Sequence, residues 1–333
     1  MKALVLAAGL GLRMRPLSLL RAKPVLPVLN RPLIHWTLDL LARHGVSEVI
    51  VNLHHLPATV VRAVGSGSRH GLRVRYSREP RILGTGGGAR RVRRFFGKEP
   101  ALLVNGDAFF DFDLTGLVER HRRTGAVATL ALKANPDPER YGPVITDRRG
   151  RVRSLPGCLR AVPGTVSLFT GIHVIDPAIL DRLPPGPSDT VRHLYAPLVR
   201  EGDPVVGVRV RGPWYDLSSP SLYLASHMSL LARGWGGAGP AGLVHPQAQV
   251  HPGAQVVRSA IGAGCVVREG AKVVRSVLWE RVTVGRGARV YQSVLADRTV
   301  VRDGERVDRS VLIPAGRPTR RAVDPVRVEI DDL

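Results

Sequence analysis

The chain has 333 residues, of which 44% are hydrophobic, as is typical of a folded protein with one large and one smaller domain. Its apolar runs are too short to cross a membrane. The formal net charge is +22, but only five of the 49 basic residues are lysines, only 5% of residues are aromatic, and no nucleic-acid-binding motif is present. We therefore interpret the charge as a solvated, arginine-rich surface and expect neither a nucleic-acid nor a membrane partner.

The N-terminus carries an apolar run, residues 3–12, that resembles the core of a signal peptide. It is followed by Arg13 and Arg15 without a cleavage site, so we predict a buried strand that leads into a glycine turn. The two cysteines, Cys158 and Cys265, cannot form a disulfide framework. We therefore expect a cytoplasmic protein.

Short apolar runs alternate with helical patterns up to about residue 130. The predicted strands are Ala3–Leu6, Val49–Leu53, Val74–Ser77, Ala101–Asn105 and Ala128–Leu132. The predicted helices are Pro32–Arg43, Ala58–Val64, Gly87–Phe96 and Leu114–Arg122. This alternation predicts an α/β fold, a Rossmann-like and mostly parallel sheet with helices on both faces. In such folds ligands bind beyond the carboxyl ends of the strands.

The next hundred residues are less regular. We predict strands near Val144 and at Phe169–Ile175, and helices near Asp189–Arg200 and Pro220–Leu231. The Gly- and Pro-rich stretch 234–242 then interrupts any helix. We therefore place a first domain at residues 1–233 and a linker at 234–242.

Serines recur at a constant spacing of 17 residues beyond the linker, at Ser259, Ser276, Ser293 and Ser310. Apolar residues also recur every six positions, as in Val244, Val250 and Val256 and again in Leu278, Val284 and Val290. Three six-residue sides with one shortened corner give 17 residues per coil. The pattern therefore predicts a short left-handed β-helix of hexapeptide repeats at 243–314, followed by a tail at 315–333.

The first predicted strand leads into a candidate phosphate site. Gly9 and Gly11 allow backbone N–H groups to approach phosphate closely, and Arg13 and Lys23 add positive charge. A dinucleotide-binding fingerprint is excluded because Met14 stands where its third glycine would be, and no P-loop Gly-Lys-Ser/Thr is present. From the spacing alone, an ordinary tight turn with surface bases explains these residues equally well.

Two acidic residues extend the pattern. Asp107 follows the apolar strand 101–105, and Asp216 follows the β-like run 205–210, so both carboxylates can emerge at the edge of the sheet. Mg²⁺ is usually held by one or two carboxylates together with phosphate oxygens, which this pair can provide. Taken singly, each aspartate could equally be a turn or capping residue.

Four segments in this order give the chain a family resemblance. They are GLGLR…PLS…AKP (9–24), EPRILGTGGG (79–88), LLVNGDAFFDFDL (102–114) and WYDLSSP (214–220). Residues 1–230 resemble the sugar-nucleotide pyrophosphorylases, which carry G-x-G-x-R, P-L-T and P-K-P, then E-x-P-L-G-T-A-G, a strand-end Asp and W-x-D-I-G-T-P. The chain departs from these motifs in a Ser for Thr, an Ala for Pro, one inserted residue before the GTGGG run, and DLSSP for D-I-G-T-P.

The resemblance implies roles for individual residues. It implies catalysis by Arg13, Lys23, Asp107 and Asp216, with Asp107 and Asp216 also holding Mg²⁺. It implies nucleotide binding by Leu6, Ala8, Gly9, Gly11, Arg13, Glu79, Gly84, Thr85 and Gly86. It implies sugar binding by Asn105, Gly142, Thr170 and Gly171. The family's E-K-P element, whose Lys binds the sugar phosphate, is absent, and Arg153 or Arg160 could replace that Lys.

The resemblance implies an NTP and a sugar 1-phosphate as substrates of a nucleotidyltransferase domain. It leaves open a mannose-1-phosphate guanylyltransferase using GTP and an N-acetylmuramate-1-phosphate uridylyltransferase using UTP. A catalytically silent, sugar-nucleotide-binding regulatory subunit is the alternative. An acyltransferase role for the β-helix is disfavoured, because four coils leave little room and no His follows His251 within them. We expect the β-helix to mediate homo-oligomerisation.

Overall fold

The computed structural model describes residues 1–158, 162–239, 241–314 and 326–330. Arg160, linker residue 240 and most of the predicted tail lie outside them. The chain forms two compact units. The first comprises Met1–Leu10 and Ile34–Trp214, and the second comprises Gly11–Leu33 and Tyr215–Leu333. Each unit is described by itself below.

The strands before the β-helix are mostly three to seven residues long. In chain order they are β1 (Lys2–Leu6), β2 (Pro27–Val28), β3 (Arg31–Pro32), β4 (Glu48–Leu53), β5 (Arg73–Arg78), β6 (Ala101–Asn105), β7 (Ala108–Phe110), β8 (Ala128–Ala134), β9 (Val144–Thr146), β10 (Val152–Ser154), β11 (Thr165–Ile175), β12 (Val205–Arg209) and β13 (Trp214–Asp216). The strands predicted from the apolar runs are all present.

The α-helices lie between these strands or directly after them. They are α1 (Leu33–Arg43), α2 (Pro57–Val64), α3 (Gly84–Arg91), α4 (Arg93–Phe96), α5 (Leu114–Thr124), α6 (Pro138–Tyr141), α7 (Ala196–Glu201) and α8 (Pro220–Ala232). Short 3-10 turns occupy Leu12–Met14, Leu17–Leu19, Lys23–Val25, Ser68–His70, Pro177–Arg182 and Trp235–Gly237, and a π-helical turn occupies Val191–Tyr195. In the described part of the chain, no helix is long and apolar enough to cross a membrane.

The first unit is built on a nine-stranded sheet. Its main path runs β10-β9-β11-β6-β1-β4-β5, and β8 joins β11 to β12. The half formed by β6, β1, β4 and β5 is parallel, because each connection returns to the same end of the sheet through a helical crossover. The other half is held together by β11, which runs antiparallel to β6, β8 and β9. The sheet is therefore the predicted α/β sheet with an antiparallel extension.

The core of this unit follows from the apolar runs of the sequence. Leu4 and Leu103 are fully buried, and so is Ala128. Because strands covered on both faces have no solvent side, they consist of continuous apolar residues and do not alternate. Polar residues at the ends of such strands therefore stand out, and the candidate site is found there.

The second unit contains the solenoid. Its strands are β14 (Gly242–Val244), β15 (Gln249–Val250), β16 (Gln255–Val257), β17 (Ser259–Ile261), β18 (Val266–Val267), β19 (Lys272–Val274), β20 (Val277–Leu278), β21 (Thr283–Val284), β22 (Arg289–Tyr291), β23 (Val294–Leu295), β24 (Val300–Val301), β25 (Arg306–Asp308), β26 (Ser310–Ile313) and β27 (Val326–Glu329). All of them except β27, which pairs antiparallel with β26, form three parallel sheets in which residues pair with those 17 positions later, as Val250 does with Val267. This is the predicted β-helix, and its left-handed sense stays a prediction.

The recurring serines explain the period of 17. Each is fully buried, and its hydroxyl accepts a hydrogen bond from the amide of the next serine, as Ser276 Oγ does from Ser293 N at 3.1 Å. The residue before each serine has a positive φ, between 40° and 49°, which turns the corner of the coil. Arg327 takes the next position in the series, and its Nε donates to Ser310 Oγ at 2.9 Å. The row of hydrogen-bonded serines thus ends at Arg327, which belongs to the antiparallel strand β27.

Candidate active site

The carboxyl ends of three parallel strands form the floor of the candidate site in the first unit. Leu6, the last residue of β1, pairs with Asn52 of β4 on one side and with Asn105 of β6 on the other. Two amide side chains thus flank the strand that leads into the glycine turn. The rule that ligands bind beyond the carboxyl ends of parallel strands points to this edge.

Asn52 connects the glycine turn to the second predicted motif. Its Oδ1 accepts from Ala7 N at 2.6 Å, and its Nδ2 donates to Glu79 Oε1 at 2.8 Å. The other carboxylate oxygen of Glu79 accepts from Leu83 N at 3.0 Å. Both oxygens of this buried carboxylate therefore hold backbone and side-chain groups of the protein, and contact of Glu79 with a nucleotide stays a prediction.

The glycines of the 84–88 run are required by packing within the first unit. A Cβ at Gly86 would lie 2.8 Å from Ser188 Oγ, and one at Gly88 would lie 2.8 Å from Asn52 Nδ2. Thr85 Oγ1 donates to Asp189 Oδ2 at 3.1 Å. The first turn of α3 therefore packs against the segment 186–190. Nucleotide binding by Gly84, Thr85 and Gly86 stays a prediction.

Gly9 has a different environment from these packed glycines. It is exposed, and a Cβ built on it would meet no atom within 4 Å. The preceding Ala8 is buried at 6% exposure. The space above this part of the glycine turn is open, as a backbone that approaches a ligand requires.

Asp107 lies in the turn directly after β6. Gly106 N donates to Leu6 O at 2.9 Å, and a Cβ on Gly106 would lie 2.9 Å from the same oxygen. Only glycine therefore allows this turn to lie against the end of β1. The half-buried Asp107 is fixed at the predicted edge of the sheet.

The predicted sugar residues gather around an irregularity in β11. The pairing of β11 with β8 shifts register between Phe169 and His173, and Gly171 has a φ of 80° there. A Cβ on Gly171 would clash with the Asn105 side chain, so these two predicted residues are in contact. The Thr170 hydroxyl is turned inward and donates to Ala131 O at 2.8 Å.

A small pocket of about 90 Å³ lies next to this irregularity. It is lined by Leu130, Tyr141, Gly142, Val144, Leu155, Pro156, Phe169 and Val191. The structure thus brings Gly142 and the β11 bulge into one region of the first unit. Arg153, suggested as a substitute for the missing Lys, lies exposed in β10.

Trp214 contacts the candidate site residues, although the sequence motifs assigned it no role. Its Nε1 donates to Thr170 O at 3.0 Å, and its ring packs edge-on against Tyr141 with centroids 5.6 Å apart. Trp214 therefore ties the bulge to the residue that precedes Gly142. Asn52 was also missed, although a polar residue that interrupts the apolar run VIVNL at a strand end is a usable signal.

The second unit carries the remaining part of the glycine turn. Gly11 has a φ of 64°, which favours glycine, and its carbonyl accepts from Ser18 Oγ at 2.8 Å. The hydroxyl that replaces the family's Thr thus closes the turn. Arg13 is exposed in the 3-10 turn that follows, whereas Lys23 is 8% exposed at the start of another such turn.

Asp216 ends β13 in the second unit. Its Oδ2 accepts a 2.7 Å hydrogen bond from Ser218 Oγ, the residue that replaces the family's Gly. Because Ser218 departs from the family motif, the Asp216 carboxylate, a predicted metal ligand, here accepts a hydrogen bond from a hydroxyl. Among all residues that the structure describes, no three His, Cys, Asp or Glu side chains cluster as a metal site would. A site of one or two carboxylates completed by phosphate oxygens does not require such a cluster.

Comparisons with known proteins identify relatives of both parts of the chain. A family profile described as "Nucleotidyl transferase" matches residues 2–233, and one described as "GMPPB C-terminal domain" matches residues 239–316. A UTP–glucose-1-phosphate uridylyltransferase of Synechocystis sp. is 32% identical over 70% of this chain and 64% of its own length. A mannose-1-phosphate guanylyltransferase of Mycobacterium tuberculosis is 32% identical over 80% of this chain and 76% of its own length.

A solved structure shares the fold. It is a Bacillus anthracis protein described as a glucose-1-phosphate thymidylyltransferase, with a TM-score of 0.55 and 22% identity over 66% of this chain and 90% of that one. The family profile covers well over half of this chain, and two relatives are about one third identical to it. The protein therefore belongs to the nucleotidyl transferase family, among the sugar-1-phosphate nucleotidyltransferases, as its motifs predicted.

Proposed function

We propose that the protein makes a nucleotide-activated sugar and pyrophosphate from an NTP and a sugar 1-phosphate. The observation that carries the proposal is the open space beside Gly9, where even an added Cβ would meet no atom within 4 Å. Asp107 lies at the same edge of the sheet. A backbone turn of this kind suits a triphosphate, and the family to which the chain belongs uses that substrate.

The proposed reaction is a single displacement at phosphorus. An oxygen of the sugar phosphate forms a bond to the α-phosphorus, and the bond from that phosphorus to the bridging β-oxygen breaks, so that pyrophosphate leaves with the electron pair. No general base is required, because the phosphate nucleophile is already anionic at neutral pH. The protein therefore contributes alignment and charge stabilisation.

Four residues would supply that stabilisation. Arg13 would bind the β- and γ-phosphates with its planar guanidinium, and Lys23 would neutralise the α-phosphate and the incoming phosphate. Asp107 and Asp216 offer the oxygen donors that Mg²⁺ prefers and would hold it together with phosphate oxygens. The ion would neutralise charge on the triphosphate.

We propose GTP and mannose 1-phosphate as the substrate pair. The match of residues 239–316 to the "GMPPB C-terminal domain" supports this choice, as does the longer alignment to the mannose-1-phosphate guanylyltransferase. The alternatives are UTP with glucose 1-phosphate or with an amino-sugar 1-phosphate. The mainly apolar lining of the pocket beside Gly142 would suit an N-acetyl group in the second case.

An activity matrix tests this proposal. Purified protein with Mg²⁺ is assayed for pyrophosphate release with GTP, UTP, dTTP and ATP, each against mannose, glucose, N-acetylglucosamine and N-acetylmuramate 1-phosphates. We expect the fastest turnover with GTP and mannose 1-phosphate. Faster turnover with UTP would replace the proposed substrate pair by UTP and the sugar 1-phosphate that reacts fastest with it. No turnover with any pair would contradict the enzymatic proposal.

A silent regulatory subunit is the second candidate function. Two observations favour it: the Ser218 hydroxyl bonded to Asp216, and the absence of the family's E-K-P lysine. Such a subunit would bind a sugar nucleotide, which calorimetry can measure. It would show no turnover with any substrate pair of the activity matrix.

We also propose that the β-helix mediates self-association. Val244 and Val257 on its first coil are 41% and 42% exposed, which leaves apolar surface for a second copy. Light scattering of the full chain and of the Val257→Glu variant tests this. A monomeric wild-type protein, or an oligomer unchanged by the substitution, would contradict association through this coil.

A further inference from the structure

The signature segment that carries Lys23 belongs to the same compact unit as the β-helix. This segment, Gly11–Leu33, consists of short 3-10 turns and a two-residue hairpin, whose internal hydrogen bonds fix each turn but do not tie the segment to the rest of the unit. Its position must therefore come from the groups against which it packs. These groups contact the chain on both sides of Lys23.

Arg21, two residues before Lys23, is held by the third and fourth coils of the β-helix. Its Nε donates to Asp297 Oδ2 at 3.0 Å, and its Nη2 donates to Glu280 Oε1 at 3.1 Å. The guanidinium also lies 5.4 Å from the centre of the buried Trp279 ring. Two carboxylates and an aromatic face fix the planar group in position and orientation, which a lysine ammonium could not reproduce.

The hairpin β2–β3 after Lys23 is held by α8 and the first turns of the β-helix. Its two turn residues, Leu29 and Asn30, have φ values of 52° and 61°, which non-glycine residues rarely adopt. Leu29 N donates to His227 Nε2 at 3.3 Å, and Asn30 Nδ2 donates to Ile261 O at 2.8 Å. External partners therefore maintain an otherwise unfavourable turn.

The two anchors are joined by one chain of hydrogen bonds. The Trp279 indole, which lies under Arg21, donates from Nε1 to Tyr223 OH at 3.0 Å. Tyr223 OH in turn donates to Pro27 O in β2. Lys23 is therefore placed between two points that are both fixed to the same buried Trp–Tyr pair.

Burial and attraction oppose each other in this ion pair. Burial raises the pKa of the Asp297 carboxyl above its ordinary value, and the Arg21 guanidinium opposes that rise only in part. For Arg21 the balance is reversed: burial lowers the pKa of the guanidinium, but the attraction of Asp297 and Glu280 raises it by more. What the pair does provide is a defined geometry next to Lys23.

We propose that Arg21 is a positioning residue through which the β-helix holds Lys23 in its reactive conformation. The inference rests on the proposed function of Lys23. It gives the β-helix a part in the reaction that is independent of self-association.

Kinetics of full-length variants test the proposal. We expect Arg21→Ala to lower kcat about 10- to 100-fold, because small displacements of a phosphate-binding cation carry costs of this size. Arg21→Lys should recover only part of the loss, since it cannot bond both acids. Asp297→Ala should resemble Arg21→Ala, and the double variant should be no slower than the slower single variant. Arg306→Ala is the matched control, because Arg306 also pairs with an acid, Asp308 at 2.9 Å, and lies over an aromatic ring within the β-helix.

A second measurement does not depend on turnover. Hydrogen exchange of a peptide spanning residues 20–30 should be faster in Arg21→Ala than in Arg306→Ala, with equal melting temperatures. Wild-type kcat in Arg21→Ala, or equal exchange in the two variants, would overturn the proposal. If the wild-type protein shows no turnover at all, the proposed function fails, and the exchange comparison still decides whether Arg21 positions the segment.

Discussion

The two compact units hold their candidate site residues by different means. In the first unit, Asn105 and Asp107 follow a buried strand, and backbone pairing fixes their positions. In the second, Lys23 lies on a segment of short turns held by the His227 side chain and the Ile261 carbonyl, each more than 190 positions from the residue that it contacts. Strand ends thus place candidate residues through backbone pairing within the sheet, whereas the turn segment depends on contacts with separate elements.

The largest expected effect compares one residue from each unit. Asp107→Ala and Lys23→Ala should each lower kcat by about 10²- to 10³-fold, because the first removes a proposed Mg²⁺ ligand and the second removes a positive charge beside the reacting phosphates. The exposed Lys98→Ala is the control and should keep wild-type kcat. A wild-type rate in either site variant, measured by pyrophosphate release, would contradict the proposed role of that residue.

The second prediction concerns the loss of stability in acid that one buried histidine in each unit should cause. Burial lowers the pKa of His173 in the first unit to about 3 and that of His227 in the second to about 4. The unfolded chain binds these protons more tightly, with a pKa of about 6.5, so stability is complete above pH 6.5 and is lost as the pH falls toward 4 or 3. For His227 the loss approaches about 3 kcal/mol.

Melting temperatures between pH 7 and pH 4 measure this effect. His173→Gln and His227→Gln cannot titrate, so each should melt lower at pH 7 but lose less on acidification than the wild-type protein. Parallel pH profiles for wild type and variant would show that the histidine concerned is not responsible for the acid sensitivity.

Two glycines of the first unit are expected to serve different purposes, one in packing and the other in the approach of a ligand. A Cβ at Gly87 would clash with Gly186 O, so Gly87→Ala should destabilise the protein by about 1–3 kcal/mol in urea unfolding. A Cβ at Gly9 would meet open space, so Gly9→Ala should leave stability unchanged but raise KM for the NTP. Equal stability losses in the two variants, or an unchanged KM in Gly9→Ala, would contradict the distinction.

The smallest expected effect concerns the departing residue Ser218. Ser218→Gly restores the family's residue and removes the hydrogen bond to Asp216 Oδ2. We expect kcat to change by about two- to tenfold, since the bond orients one carboxylate without removing it. The Mg²⁺ concentration for half-maximal activity should move in the same experiment, and Ser221→Gly provides a control. An unchanged Mg²⁺ dependence would separate Ser218 from metal binding.

Much of the first unit's fold could be predicted, because its buried strands are continuous apolar runs separated by amphipathic helices. The antiparallel course of β11 could not, since the pattern of a buried strand does not encode its direction. The roles of the 84–88 glycines were also open. The family resemblance implied nucleotide binding for this run, whereas the structure shows that a Cβ at Gly86 or Gly88 would clash with Ser188 or Asn52.

The sequence by itself determined the α/β sheet, the 17-residue β-helix and the family motifs, because these depend on periodicity and on residue type at fixed spacing. The tertiary structure alone decided which distant side chains hold the motifs. Arg21 bonded to Asp297, and Leu29 to His227, are contacts across about two hundred residues or more, and no local pattern specifies them. Such contacts arise only when separate segments fold against each other, so they are a property of the packed unit.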